Sequence, residues 1–527
     1  MPKLSIDKRE VEVPPGATIL DAARKLGIDV PTLCFLKGYD PSTSCLVCMV
    51  KIVGSDRLVP ACGNRLVPAC GTAAVDGMEV ESETEEVHAV RRSALELLLS
   101  DHLGDCLAPC YFACAAHMDI PLMLRQIMAG DMPGAIATVK SAIAIPAVLG
   151  RICPAPCEKA CRRRAADGAV AICRLKQFVA DVDLVAEQPY DPPCLPASGK
   201  SVAIVGAGPT GLAAAYRLAQ QGHGCAIFDE NDLPGGRIRH ETTEEQLPRK
   251  VLDAEIQTVL RLGVQLHGNT RIGEETSLEN LRGRFDAVLV AAGTSTPERA
   301  ERLQLATGPR GIEVDRHTFQ TATDGVFAAG GAIRGKVLVI RSVGDGKDAA
   351  VSIDRQLSGQ PLVGSQRPLN VRIGHLQQSE LKQFLATAGD APRRDPAAGP
   401  EARFSTQEAA EQAARCLHCD CRKLHTCKLR KWAELYKADP LKYKAPRRTF
   451  QQDTRHTEVI FEPGKCIDCG LCIQIAAAGG EKFGLTFVGR GFDVRVGVPL
   501  NRSLDEALEK VAARCVEACP TAALSLR

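Results

Sequence analysis

Aromatic residues make up only 4 % of this 527-residue chain, and there is a single tryptophan. So few rings leave no platform on which the bases of single-stranded nucleic acid would stack. An excess of one charge is missing as well. Sixty-five Lys and Arg stand against 63 Asp and Glu, for a formal net charge of +2. Broad electrostatic attraction to nucleic acid or to an acidic membrane is thereby excluded. No run approaches the roughly 18 apolar residues of a transmembrane helix. The opening MPKLSIDKRE is polar and lacks the apolar core of an export signal. No residue set has the pattern of a hydrolytic triad, a phosphate loop or a paired-carboxylate site. These absences predict a cytoplasmic chain of several domains, with no nucleic-acid partner and no direct membrane insertion.

What the chain has in quantity is cysteine, 23 in all. Disulfide staples belong mainly to small exported domains. Here the chain is long, and most cysteines fall in groups at gaps of one to five residues. That spacing suits thiolates converging on metal centres.

Five segments are expected. Residues 1–88 open on short strands (KLSIDKREVEV, then a PPG turn) and a helix, ATILDAARKLG. Residues 89–190 read mainly helical. A proline-rich linker leads into a strand–turn–helix unit within 198–365. Residues 366–455 form a cysteine-bearing linker, and 456–527 a last small domain.

Cys34, Cys45 and Cys48 are spaced C-x10-C-x2-C. The fourth member is Cys62 or Cys70, because RLVPACGN is followed at once by RLVPACGT. The turn after Cys70, CGTAAVDGMEV, favours Cys70. Four thiolates after a strand–turn–strand–helix unit fit a [2Fe–2S] cluster. The segment resembles the N-terminal β-grasp domain of the large iron–sulfur subunit of complex I and of iron-only hydrogenases.

Cys106, Cys110 and Cys114 are three residues apart, as are Cys153, Cys157 and Cys161 in RICPAPCEKACRRR. With LKQF downstream, this resembles the helical domain shared by the glutamate synthase small subunit and dihydropyrimidine dehydrogenase. The resemblance implies two [4Fe–4S] clusters. One would take Cys106, Cys110 and Cys161, and the other Cys114, Cys153, Cys157 and Gln177. The first then lacks a cysteine. His102, in DHLGDC, resembles the H-x3-C start of a histidine-ligated cluster in the complex I subunit and is the candidate to complete it.

VAIVGAGPTGLAAAYRLAQQGHGCAIFDE is a dinucleotide fingerprint in context. A strand precedes Gly206, Gly208, Pro209 and Gly211, a helix follows, and a second strand ends at Asp229, which would accept from ribose hydroxyls. Gly235, Gly236 and Arg237 come next, then Gly293 in FDAVLVAAGT and Gly330 in TDGVFAAGG. This order resembles the Rossmann-like FAD domain of the glutamate synthase small subunit. Gly331 stands where that family has an aspartate reaching the flavin. Relatives insert a whole NADPH domain before VFAAG; here only 31 residues separate Gly293 from Gly325, without a second fingerprint.

Cys416, Cys419, Cys421 and Cys427 lie within twelve residues, in RCLHCDCRKLHTC, and are expected to hold a further [4Fe–4S] cluster, with zinc the competing metal. Cys466, Cys469 and Cys472 read C-x2-C-x2-C, and Cys519-Pro520 follows far downstream. This resembles a two-cluster ferredoxin that has lost one cluster.

The fold expected is therefore multidomain α/β and α+β: a β-grasp [2Fe–2S] domain, a helical [4Fe–4S] domain, a Rossmann-like FAD domain and a C-terminal ferredoxin-like domain. The function expected is an electron-transfer oxidoreductase subunit carrying FAD, one [2Fe–2S] and up to four [4Fe–4S] clusters. Its partners would be other redox subunits, such as a formate dehydrogenase, hydrogenase or diaphorase module. A self-sufficient NAD(P)H oxidoreductase, a glutamate synthase small subunit and a zinc-loaded scaffold are the alternatives.

Overall fold

Alternation in KLSI buries Leu4 and Ile6 and leaves Lys3 exposed, the period of a strand with one face on a core. That strand, β1 (Lys3–Ile6), pairs antiparallel with β2 (Arg9–Glu12) and parallel with β5 (Glu79–Glu81). With β3 (Met49–Val53) and β4 (Asn64–Pro68) the sheet order is β2-β1-β5-β3-β4. Helix α1 (Ile19–Lys25) starts on a capping box between Thr18 and Asp21 and buries Ile19, Leu20, Ala22 and Ala23. The computed structural model describes residues 1–53, 64–294, 296–396 and 402–527; the expected alternative Cys62 lies outside them.

The chain divides into two units, and the division is not sequential. The first unit is built from Met1–Leu107, Pro368–Thr387 and Cys419–Arg527. It holds the five-stranded sheet, helix α2 (Glu85–Ser100) and a C-terminal subdomain. In that subdomain Val459–Phe461 pairs antiparallel with Leu524–Leu526, and helices Leu471–Ala478 and Ala512–Ala518 pack on a shared core.

The second unit is Ala108–Arg367 with Ala388–His418. The cysteine-bearing helical stretch therefore splits near 107. Most of it shares one core with the nucleotide-type sheet, including α3 (Pro146–Ile152) and α4 (Ile172–Leu184). The sheet is parallel and is built from β6 (Ser201–Val205), β7 (Gly224–Phe228), β8 (Gln265–His267), β9 (Ala287–Val290) and β10 (Val326–Ala328), in the order β10-β9-β6-β7-β8. Helices α5 (Pro209–Gln220) and α7 (Val339–Leu357) pack together, and α6 (Arg249–Leu260) lies against α3. Between β9 and β10 the chain makes only helix Pro297–Arg302 and a pair of two-residue strands among the described residues. No helix among the described residues is long and apolar enough to cross a membrane.

Candidate cofactor sites

A cavity of about 1080 Å³ in the second unit opens at the C-terminal ends of β6, β7 and β9. Crossover connections leave a crevice at this edge of an open α/β sheet, where nucleotides bind. Its walls include the predicted Gly206, Gly208, Pro209, Asp229, Gly236, Arg237 and Gly293. The predicted Gly211, Gly235 and Gly330 stand behind the wall. A side chain at Gly206 would come within 2.5 Å of the Ala291 carbonyl, and one at Gly211 would strike the Gly206 carbonyl. The cradle is thus a close approach that only glycines permit. Asp229 is buried and accepts from the Ala207 amide at 2.6 Å and from Asn231 at 2.8 and 2.9 Å. Glu230 beside it pairs with Arg299 and Arg271.

Gly331 also lines this cavity. A Cβ there would sit 2.9 Å from the Gly293 carbonyl carbon. The family's aspartate is therefore not merely replaced; its stem has no room against this backbone. A glycine-walled cleft of this size with an acid at the end of β7 fits FAD.

The thiols stand around smaller cavities. Among the described residues no three His, Cys, Asp or Glu side chains close on a point that would hold a single ion. One thiol cavity lies in the second unit and is lined by Cys114, Cys153, Cys157, Cys173 and Lys176. It adjoins the flavin cavity: Ile152 and Pro154 line the larger cavity and Cys153 between them the smaller, while Val339 and Ile340 divide in the same way. The Cys153 thiol donates to Cys173 and so draws the Cys173 pKa down to about 6, against burial, which raises it. Burial would lower the Lys176 pKa, but the surrounding thiols reverse this and hold it up.

Gln177, the expected fourth ligand here, is not in that wall. Its amide nitrogen donates to Asp181 at 3.3 Å and to the Ala402 carbonyl at 3.1 Å. Its stem fills the crossing of α3 and α4, where a Cβ on Gly150 would lie 2.5 Å from its own. Cys173, which stands outside the C-x3-C spacing, is in the wall instead.

The first unit holds three sites. Cys34, Cys45, Cys48 and Cys70 are all buried, with 3.4 Å between the Sγ atoms of Cys48 and Cys70. Thiol donation from Cys45 and Cys70 holds the Cys34 pKa far down. Cys466, Cys469, Cys472 and Cys519 line one cavity, as the ferredoxin spacing predicts. Cys515 is buried behind it, with its Sγ 3.8 Å from the Cys472 carbonyl.

The third site cuts across two of the expected groups. His102, Cys106, Cys421 and Cys427 line a single cavity, with Lys465. Cys106 belongs to the first unit, whereas Cys110 and Cys161, expected beside it, belong to the second. Of the expected set Cys416, Cys419, Cys421 and Cys427, Cys416 is buried in the core of the second unit, and the other three belong to the first. Cys110 and Cys161 pack against that same core, and Cys419 lines none of the cavities described here. The Cys421 amide donates to the Cys106 carbonyl at 3.1 Å, joining residues 315 positions apart. The Nδ1 of His102 is shielded from solvent and has no hydrogen-bond partner. Burial, then the Lys465 charge, push its pKa down to about 3. A neutral imidazole with an unused buried nitrogen beside three thiols fits a histidine-ligated [4Fe–4S] cube.

Three domain families match the sequence. They are a 2Fe-2S iron-sulfur cluster binding domain over residues 2–85, the 4Fe-4S cluster domain II of dihydropyrimidine dehydrogenase over 100–188, and a pyridine nucleotide-disulphide oxidoreductase domain over 167–346. The NADP(+)-dependent formate dehydrogenase subunit beta of Moorella thermoacetica is 37 % identical over 213 residues, 36 % of this chain and 30 % of that one. The NADPH-Fe(3+) oxidoreductase subunit beta of Geobacter sulfurreducens is 40 % identical over 192 residues, 35 % of this chain and 28 % of that one. The NAD-dependent dihydropyrimidine dehydrogenase subunit PreT of Escherichia coli is 37 % identical over 191 residues, covering 36 % and 46 %. The chain thus spans less than half the length of each of these relatives. It carries [2Fe–2S]- and [4Fe–4S]-binding domains and an oxidoreductase domain of the flavin type.

Proposed function

We propose that the chain is an electron-transfer subunit of a larger oxidoreductase, passing electrons between FAD and iron–sulfur clusters and on to partner subunits. FAD, when bound, supplies exchange between two-electron and one-electron chemistry, and the clusters supply one-electron storage. The shared wall at Ile152–Cys153–Pro154 carries the proposal. The backbone that closes the flavin cavity is the same backbone that presents a cluster thiolate, so donor and acceptor adjoin without intervening solvent.

The first unit supports a relay of its own. The Cys427 Sγ lies 3.9 Å from the carbonyl of Pro520, the residue after Cys519. At the other side of the ferredoxin-like site, the Ser42 hydroxyl, between Cys34 and Cys45 in sequence, donates to the Cys469 carbonyl at 2.7 Å. The order is then the His102 site, the Cys469 site and the [2Fe–2S] site.

The short connection between β9 and β10 favours a flavin fed by a partner and not by a nicotinamide bound to this chain. The names of the relatives point to a formate dehydrogenase or NADPH-linked complex as the setting; a hydrogenase or diaphorase module is the remaining candidate. The test is an anaerobic titration of the reconstituted chain, following flavin absorbance. Dithionite is expected to bleach the flavin, and NADH and NADPH to leave it yellow. Stoichiometric bleaching by either nucleotide would make the self-sufficient oxidoreductase the better reading.

A further inference from the structure

The cavity that adjoins the flavin has four cysteines in its wall, and the fourth is Cys173. Cys173 opens α4 and Lys176 follows one turn later, so both face the cavity from one side of that helix. Lys176 is 4 % exposed. Among the described residues no carboxylate lies within ion-pair distance of it; what it shares its cavity with are the sulfurs of Cys173, Cys153, Cys157 and Cys114. The neighbouring buried cations are paired elsewhere, Lys140 with Asp183 and Arg151 with Asp181. A lone buried ammonium is costly unless an anion compensates it, and here the compensating anion is whatever the thiolates hold.

We infer that the flavin-side cluster is an all-cysteine [4Fe–4S] cube held by Cys114, Cys153, Cys157 and Cys173, with Lys176 as its built-in countercharge that raises its potential. The inference rests on the cluster assignment proposed above. A cube on four thiolates is dianionic when oxidised and trianionic after taking one electron. A buried cation at fixed distance stabilises the second state more than the first, and weak screening makes that difference large. The electron is supplied by the flavin or by an added reductant, and the ammonium keeps its proton throughout. Gln177 takes no part, because its Oε1 accepts from Arg174 at 2.9 Å, its nitrogen donates to Asp181 and Ala402, and it is not in the cavity wall.

The test is electron paramagnetic resonance on the reconstituted full chain during a mediated redox titration. Cys173→Ala is expected to convert this one cluster to a three-iron form, visible in the oxidised sample, while Gln177→Ala leaves the spectrum unchanged. Lys176→Met is expected to move the midpoint of the same cluster downward with the others unmoved, and Lys176→Arg to restore most of the shift. Loss of the cluster in Gln177→Ala but not in Cys173→Ala overturns the ligand assignment; an unmoved midpoint in Lys176→Met overturns the countercharge. Cys157→Ala separates the two levels. If it leaves the cluster complement intact, the underlying site assignment fails; if it removes a cluster that Cys173→Ala spares, only the present inference fails.

Discussion

Glu255 has one carboxylate oxygen accepting from the Val148 amide at 2.8 Å and the other without a partner, and the residue is fully buried. Burial raises its pKa to about 8; the amides of Val148 and Ala147 and the Lys140 charge pull the other way, and Asp181 adds to the rise. The native state therefore holds a proton that the unfolded chain loses near its ordinary value of 4.5. Stability is expected to fall as pH rises through that window and to level off above about pH 8. Glu255→Gln should flatten the slope, read as thermal midpoint against pH; a slope unchanged in the variant would remove Glu255 as its source. His102 makes a second prediction. Imidazole in place of thiolate tends to raise a cluster's potential. His102→Cys should keep the cluster at a lower midpoint, and His102→Ala should lose it, both followed by paramagnetic redox titration. Gly331→Asp restores the residue usual in the family, yet the Gly293 backbone leaves no space for it. Less flavin per purified chain is the expected result, measured by absorbance after gel filtration.

At the scale of elements, the crossing of α3 and α4 positions both Cys153 and Cys173. Gly150 lets the helices close until Gln177 fills the gap. Gly150→Val would overpack the crossing at a cost of about 1–3 kcal/mol, with loss of the flavin-side cluster ahead of the others; denaturant unfolding and iron content check this together. The basic segment 422–448 also changes meaning once its contacts are seen. Lys423 donates to the carbonyls of Val516 and Cys519, Arg447 clamps Glu380, and Lys442 holds Glu96. That charge is spent inside its own unit, and Lys423 braces the loop that carries Cys519. A linear pattern does not report a carbonyl 93 residues away.

At the scale of the whole molecule, the chain leaves the first unit at residue 107 and returns to it finally at 419. The interruption falls inside a ligand set: H-x3-C ends at Cys106, and C-x5-C resumes at Cys421. Inside the first unit, the Ser42–Cys469 contact brings two cluster sites together. Their paramagnetic signals should broaden each other when both are reduced, and the broadening should vanish in Cys469→Ala while the [2Fe–2S] signal remains. Independent, unbroadened signals in the unaltered chain would separate the two sites.

The cofactor classes were legible in the linear sequence, which also proposed the Cys34–Cys48 group with its favoured partner Cys70, the Cys466–Cys519 set and the flavin cradle. In each, the ligands or glycines keep a spacing that one loop or one strand–turn–helix imposes, so chain distance stands in for spatial distance. The remaining groupings needed the folded chain: one cavity is lined by His102, Cys106, Cys421 and Cys427, and another by Cys173 but not by Gln177. A metal site is defined by donors converging in space, and four contiguous cysteines are contiguous only along a chain that here passes from one core to another between residues 418 and 419.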